Sequence, residues 1–436
     1  MTEAGKAMPA QAPRIVSDLA CGFCGLGCDD LEVAVMGREV RPRRACPEAA
    51  RLLRRGPGQP GGPRVGGREV SLAEAASAAA AHLKASRAAA FSGLGADVAG
   101  LRGLADLAVA FGASLDHAGS EGLFRNLDTL QRVGWVACTL AELRNRCDVL
   151  VVVGADPTGL FSRFFERAVP ATRTDGAGPL FLPEGRTIVF LGHGPEAATR
   201  NLLAGQDVRE VPVPDGLLAE ALAALGAFVA GRSLADLGGA FAGALGEALL
   251  EVAGLLKAAR YGVLTWNAAT LQAGEAGLVV SRAADIVATL NATTRAAVFP
   301  LGGRDNCLGA HQVMLWRFGY PLRTLVGGGE ARHAPGLYAT AAALDDADLL
   351  LHTSAFRPDP PPAFDRGPVI ALAHPETEFA REPEVFIPVG TPGVDHGGQV
   401  FRMDGVVCLP LEGVREAGLA SVAQATTAIL QAGRAA

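Results

Sequence analysis

The spacing of apolar residues changes character along the chain. In Leu31-Glu32-Val33-Ala34-Val35 larger apolar side chains take every second position, which predicts a short strand with one solvated face, and Gly37 supplies the turn behind it. A stretch rich in Gly and Pro, residues 56–67, then interrupts regular structure. Beyond it the alternation stops. Apolar runs recur at 88–91, 148–153, 187–191, 262–265, 296–299, 348–351, 369–373 and 385–389. Helical signals lie between them. Ser71-Leu72-Ala73-Glu74 and Thr139-Leu140-Ala141-Glu142 are capping boxes, 221–231 is a buried apolar helix, and an Ala-rich helix spans 414–435. Unalternated strands separated by helices predict parallel sheets covered on both faces. Eight such strands exceed one comfortable sheet. The fold class is therefore α/β, with two Rossmann-like domains, ligand crevices at the strand C-termini, and a small irregular N-terminal domain that needs a staple.

Length and composition narrow the class. The 436 residues allow two or three domains, and an apolar content of 49% against 19% charged leaves room for large subunit interfaces. The apolar stretch at 221–231 is too short to span a bilayer, and residues 1–13 lack the apolar core of a secretion signal, so a cytoplasmic protein is expected. A net charge of −6 argues against nucleic acid. One section departs from that balance: 38–68 carries nine arginines and two acids, Glu39 and Glu48. It reads as a solvated or subunit-facing set of loops, with a polyanion site as the sharper alternative.

Cysteine spacing is the strongest chemical signal. Cys21, Cys24 and Cys28 fall within eight residues, Cys46 follows, and Gly22, Gly25 and Gly27 let the backbone wrap a small ion or cluster. The spacing places a [4Fe–4S] cluster first and zinc second, with four thiols free of metal as the third possibility. Cys138, Cys147, Cys307 and Cys408 read as buried packing residues. His193, His311, His333, His352, His374 and His396 show no metal-ligand spacing and fall mostly in loops by context. Residues 192–195 give the nearest approach to a phosphate-binding glycine turn, and 356–362, with its proline run, is expected on the surface.

The segment Ala20-Cys21-Gly22-Phe23-Cys24-Gly25-Leu26-Gly27-Cys28-Asp29-Asp30 resembles the N-terminus of the B subunit of formylmethanofuran dehydrogenase. That family is part of the molybdopterin oxidoreductases related to formate dehydrogenases. Residues 138–149 (CTLAELRNRCDV), 327–336 (GGGEARHAPG) and 401–406 (FRMDGV) are similar to further segments of that family. The resemblance implies a formate dehydrogenase/DMSO reductase-like fold without its C-terminal barrel, which a separate subunit would supply. It divides the chain into a four-Cys domain at 1–66, a discontinuous Rossmann-like domain at 67–145 and 327–436, and a second at 146–326.

The departures from the family pattern bear on function. Asp116 stands where the family has its sulfur ligand to molybdenum or tungsten, although His117 persists beside it. Gly302 takes the place of the family's arginine near the metal, and Arg304 is displaced from it by two residues. The turn that holds one pterin nucleotide is replaced by Gly192-His193-Gly194-Pro195-Glu196. These changes imply a degenerate pocket (Asp116, His117, Gly302, Arg304) with no catalytic role, and neither molybdopterin nor its metal.

A chain of this kind without its redox centre is similar to the B subunit of the formyltransferase/hydrolase complex of methylotrophic bacteria. The implied function is a non-redox structural subunit in tetrahydromethanopterin-linked oxidation of formaldehyde to formate. Its partners would be an amidohydrolase-like hydrolase subunit, a formyltransferase subunit and a third scaffold subunit, with a methanofuran-like coenzyme nearby. The alternative is an active molybdenum or tungsten oxidoreductase acting on formate or a formyl group, with Asp116 or Ser120 as metal ligand. Hydrolysis by His117 with Asp116 or Glu121 is a third reading, and no nucleophile motif accompanies those residues.

Overall fold

In the computed structural model, which describes residues 12–171, 178–182, 185–236 and 239–435, the apolar runs assemble into two large sheets. Val149–Gly154, Thr187–Gly192, Asp207–Pro212, Gly262–Asn267 and Ala296–Leu301 form a five-stranded, wholly parallel sheet. Numbered along the chain its strands lie in the order 3-2-1-4-5, so the winding reverses between Val149–Gly154 and Gly262–Asn267. Crevices for ligands open at such reversals.

The second sheet has nine strands, and its parallel centre runs Ala113–Leu115, Ala89–Gly95, Leu349–Ser354, Val369–Ala373, Val385–Pro388. Antiparallel pairs close both edges: Thr324–Gly327 with Glu330–His333, and Arg64–Val65 with Arg68–Glu69. This sheet is therefore mixed, where parallel pairing alone was expected. Its strands come from 64–115 and 324–388, on either side of the five-stranded sheet in sequence.

The missing alternation has a direct cause. Val149, Val151 and Val153 face the helices Leu218–Val229, Ala244–Ala258 and Ala276–Leu290, while Leu150 and Val152 face Phe161, Phe164 and Phe165 with the N-terminal section. Both faces are buried, each such side chain contributing about 1.5–3 kcal/mol of transfer free energy. Leu31–Met36, in the three-stranded antiparallel sheet with Arg14–Leu19 and Glu39–Arg44, does alternate, with an inward row of Leu31, Val33 and Val35.

Several expectations need correction. Both capping boxes form. The C-terminal helix, however, is Val422–Ala435: Val414 and Arg415 turn back to donate to the Val394 carbonyl. The 38–68 section contains the strand Glu39–Arg44 and the helix Pro47–Leu53, and Arg55 is buried, donating to the Leu52 carbonyl and Thr391 Oγ1. In the 356–362 loop Phe356 and Arg357 are buried. Cys408 is exposed, unlike Cys138, Cys147 and Cys307. His311 sits in the helix Cys307–Phe318, His333 in the edge strand and His352 in a central strand. Among the described residues no helix is long and apolar enough to cross a membrane. The N-terminal stretch read against a secretion signal lies, through residue 11, outside the described residues.

Candidate functional site

Cys21, Cys24, Cys28 and Cys46 converge on one cavity of about 20 Å³. The loop closes on itself through a hydrogen bond from Cys21 N to the Cys28 carbonyl (2.7 Å). Glycine is required at 25, where φ is +86° and a Cβ would stand 2.7 Å from the Gly302 carbonyl oxygen. Cys46 caps the helix Pro47–Leu53, its sulfur accepting from Ala49 N at 3.4 Å, and the backbone N–H groups of Phe23 and Leu26 face Cys21 and Cys24.

Burial pushes the thiols up, Cys24 to about 12 and Cys28 to about 11, with Cys21 also well above its usual range. Arg163 and Arg167 beside Cys28, and Arg357 beside Cys24, pull the other way. Four sulfurs, inward N–H groups and flanking guanidiniums suit an anionic, thiolate-held centre. Among the described residues no group of three or more His, Cys, Asp or Glu side chains is arranged to hold a metal ion.

The loop after Ala113–Leu115 carries Asp116 and His117, both buried. Asp116 Oδ2 accepts from Thr340 N (2.7 Å) and Thr340 Oγ1 (3.0 Å), and Oδ1 lies 3.6 Å from Arg323 Nε. Arg323, itself buried, also donates to Ser120 Oγ and Glu121 Oε2 and stands over the Phe124 ring. Asp116, Ser120 and Glu121, the proposed ligands or acid–base partners, are thus gathered around one cation. His117 Nδ1 accepts from Gly119 N (2.8 Å), which leaves Nε2 to donate to the Asp305 carbonyl (3.2 Å) and fixes the neutral tautomer. Burial holds its pKa down to about 4. Among the described residues Asp116 and His117 share no hydrogen bond.

Arg357, a residue the sequence reading placed on the surface, ties three parts of the chain together. Its Nε reaches both carboxylate oxygens of Asp305 (2.8 and 2.7 Å), Nη1 reaches Glu48 (2.5 Å), and Nη2 the Phe23 carbonyl (3.3 Å). Asp305 N donates to that same carbonyl at 3.0 Å. Asp305 and Asn306 are consecutive residues at positive φ, +52° and +62°. The nine-stranded sheet reverses its winding between Ala89–Gly95 and Leu349–Ser354, and there the buried Asn306 donates to the Ala96 carbonyl and accepts from Phe401 N.

Gly302 borders a different space. A cavity of about 360 Å³ lies where Ala296–Leu301, the helices Ser120–Val133 and Cys307–Phe318, and residues 403–405 meet. Gly302, Cys307 and His311 line it; Asp116, His117 and Arg304 do not. Arg304 is half-exposed and pairs with Asp305 and Asp359. The four residues of the degenerate pocket are therefore split between a buried polar cluster, a cavity wall and the surface.

At the switch point of the five-stranded sheet, Asp156 follows Val149–Gly154. Its Oδ1 accepts from Thr158 N and Oγ1, and its Oδ2 from Glu196 N at 2.9 Å. A carboxylate already occupies backbone donors that a nucleotide phosphate would use there. Sequence reading missed Asp156, Arg323 and Arg357. The signal for Arg323 was a charge inside the apolar run Leu322-Arg323-Thr324-Leu325-Val326, which implies a buried partner.

No protein-family model matches the chain. It is 26% identical over 416 residues to the B subunit of the tungsten-containing formylmethanofuran dehydrogenase 2 of Methanocaldococcus jannaschii, covering 90% of this chain and 92% of that one. It is 29% identical over 343 residues to the B subunit of the formyltransferase/hydrolase complex Fhc of Methylorubrum extorquens, covering 78% and 87%. A chain of the crystal structure of that organism's FhcABCD complex with methylofuran superposes with a TM-score of 0.70 at 26% identity, over 86% of this chain and 99% of that one. The folded α/β framework and these matches agree with the four sequence segments: the chain is a homologue of the B subunits of formylmethanofuran dehydrogenase and of the formyltransferase/hydrolase complex.

Proposed function

We propose that the chain is a non-redox structural subunit of a formyltransferase/hydrolase complex, holding hydrolase, formyltransferase and third scaffold subunits in register around a methanofuran-like coenzyme in the cytoplasm. Its domains are the interleaved pair of a formate dehydrogenase-like oxidoreductase. The observation that carries this reading is the engagement of Asp116. Its carboxylate is bound to Thr340 and paired with Arg323 inside the protein, and it is not on the lining of the cavity that Gly302 borders. The turns support it. Asp156 and Asn306 fill the two switch points with the chain's own polar groups, and among the described residues no Arg or Lys lines the central cavity to balance a pyrophosphate. The residues present do not fit a molybdopterin dinucleotide, and no catalytic step is assigned to it.

The cysteines do fit an iron–sulfur cluster in chemistry and charge. Cys21, Cys24, Cys28 and Cys46 would hold it, and when bound it supplies one-electron storage. Without an adjoining redox centre, its contribution is to staple the N-terminal section, tying the 21–28 loop to Cys46 at the start of the helix Pro47–Leu53.

One observation favours the oxidoreductase alternative: Asp116 Oδ1 is buried with no hydrogen-bond partner. The Arg323 guanidinium 3.6 Å away compensates its charge, which a metal ion at that oxygen would have to displace. Elemental and pterin analysis of the native complex separates the two. Iron without molybdenum, tungsten or pterin is expected; stoichiometric molybdenum or tungsten with pterin, and formate oxidation lost in Asp116→Ala, would overturn the proposal.

A further inference from the structure

The central cavity has a character of its own. Its volume of about 360 Å³ is at the small end of the range for ligand sites. The walls are supplied by Leu123, Leu127, Trp135, Phe299, Leu308 and Met403. Some of the polar groups on it are already spent, while the partly exposed Gln312 amide at its edge makes no hydrogen bond among the described residues. Asn126 Oδ1 accepts from Trp266 Nε1 (2.9 Å), and Asp404 is held by Arg402 (2.6 Å) and Leu140 N (3.0 Å).

His311 is the buried polar side chain on this wall that makes no hydrogen bond at all among the described residues. It is 8% exposed, lines the cavity, and its Nδ1 is buried with no hydrogen-bond partner. Among the described residues neither ring nitrogen makes a hydrogen bond. Nδ1 is closed off from the cavity space, so a molecule held there would meet the ring at Nε2, the nitrogen that keeps accessible surface. Burial holds its pKa down to about 4, so the ring is neutral. At Gly302 a side chain would meet nothing within 4 Å, so the cavity also extends over that backbone. Apolar side chains are exposed beside it: Leu130, on the lining itself, and Val133 and Val136, flanking Trp135.

We propose that this cavity is a binding site for a small, uncharged, mainly apolar molecule of aromatic size, with one polar atom hydrogen-bonded to His311. The absence of any lining Arg or Lys among the described residues disfavours anions. The apolar walls disfavour polyols. The inference does not depend on the scaffold reading, because a cavity inside a subunit without catalysis can bind a ligand equally well.

The test uses the full chain with phenol as probe, followed by calorimetric titration. Toluene serves as the probe without a hydrogen-bonding group and 4-hydroxybenzoate as the charged one. Saturable phenol binding is expected, with 4-hydroxybenzoate undetected at the same concentrations. Gly302→Leu should weaken phenol by more than tenfold while leaving the circular dichroism spectrum unchanged, because the leucine fills open space. If that variant does not fold, Leu127→Trp narrows the same cavity from the helix Ser120–Val133. His311→Leu should cost phenol about tenfold, the worth of one hydrogen bond, and leave toluene unaffected. No saturable binding of either neutral probe would overturn the proposal. So would phenol affinity indifferent to both cavity-filling variants, or 4-hydroxybenzoate binding as tightly as phenol.

Discussion

Replacing Arg357 by methionine removes the guanidinium that joins the four-Cys loop to both large sheets. The side chain is 2% exposed, and its main partner, Asp305, lies inside with it. Methionine keeps much of the volume, so the cost is electrostatic. Breaking a buried ion pair from one side costs about 3–5 kcal/mol, because the other charge is left uncompensated. Glu48 adds little: its side chain is 38% exposed, and water screens such a pair to about 0–1 kcal/mol. The Phe23 carbonyl is not orphaned, since Asp305 N still donates to it. Asp305 therefore sets the size of the effect.

Hydrogen exchange at the amides of the 21–28 loop should accelerate by roughly two to four powers of ten in Arg357→Met. The double variant Arg357→Met with Asp305→Asn should recover at least half of that loss. Asparagine tolerates the +52° φ at 305 and carries no charge to strand. The deficit of the single variant should also shrink at low pH. Burial holds the Asp305 carboxyl above its ordinary range, so the folded state takes up a proton before the unfolded chain does, and stability falls as pH rises through that window. Acceleration of less than tenfold, or a double variant no better than the single one, would refute the reasoning.

Acid should destabilise the fold early. His117, His311 and His352 are held at about 4 by burial, so the unfolded chain binds more protons between about 6.5 and 4. Stability is complete above that window, each histidine removes at most about 1.4 kcal/mol per pH unit within it, and the urea midpoint should drop steeply from pH 7 to 5, less steeply in His352→Asn. Anaerobic reconstitution should give about four iron and four sulfide per chain, and Cys28→Ser should lose most of both; a colourless, iron-free product from the parent chain would remove the cluster. Arg323→Met should cost about 3–5 kcal/mol in urea denaturation by stranding Asp116, with much of it restored by adding Asp116→Asn. Asp156→Ala should cost about 1–3 kcal/mol through the orphaned N–H groups of Thr158 and Glu196, and phosphate should stabilise that variant more than the parent.

What the sequence revealed and what it hid follow one physical division. Strands such as Leu349–Ser354 were legible because both their faces are buried, and every residue in the run reports it. Asp207–Pro212 was not, since it lies on the edge of its sheet and is largely exposed, with polar residues inside the strand. Ala113–Leu115 was too short to announce itself. The four cysteines were read from spacing because a loop brings three of them together locally. Their surroundings were not, because Arg163, Arg167 and Arg357 arrive from elsewhere in the chain. Asp116 was recognised as a changed residue, but its fate depended on Thr340 and Arg323, which only the fold brings to it. Cys307 and His311 were taken one at a time as packing and loop residues. Their spacing of four on one helix put both on the wall of the same cavity.

Asp156 and Asn306 have a consequence for how this chain comes into being. A protein that binds its cofactor only when folded draws stability from that binding, and its yield then follows the supply of cofactor. Here a carboxylate and an amide from the chain itself satisfy the two crevices as soon as the strands meet. On the proposed reading, closing these two crevices needs no delivered pterin, while the four-cysteine loop still gains stability from a supplied cluster.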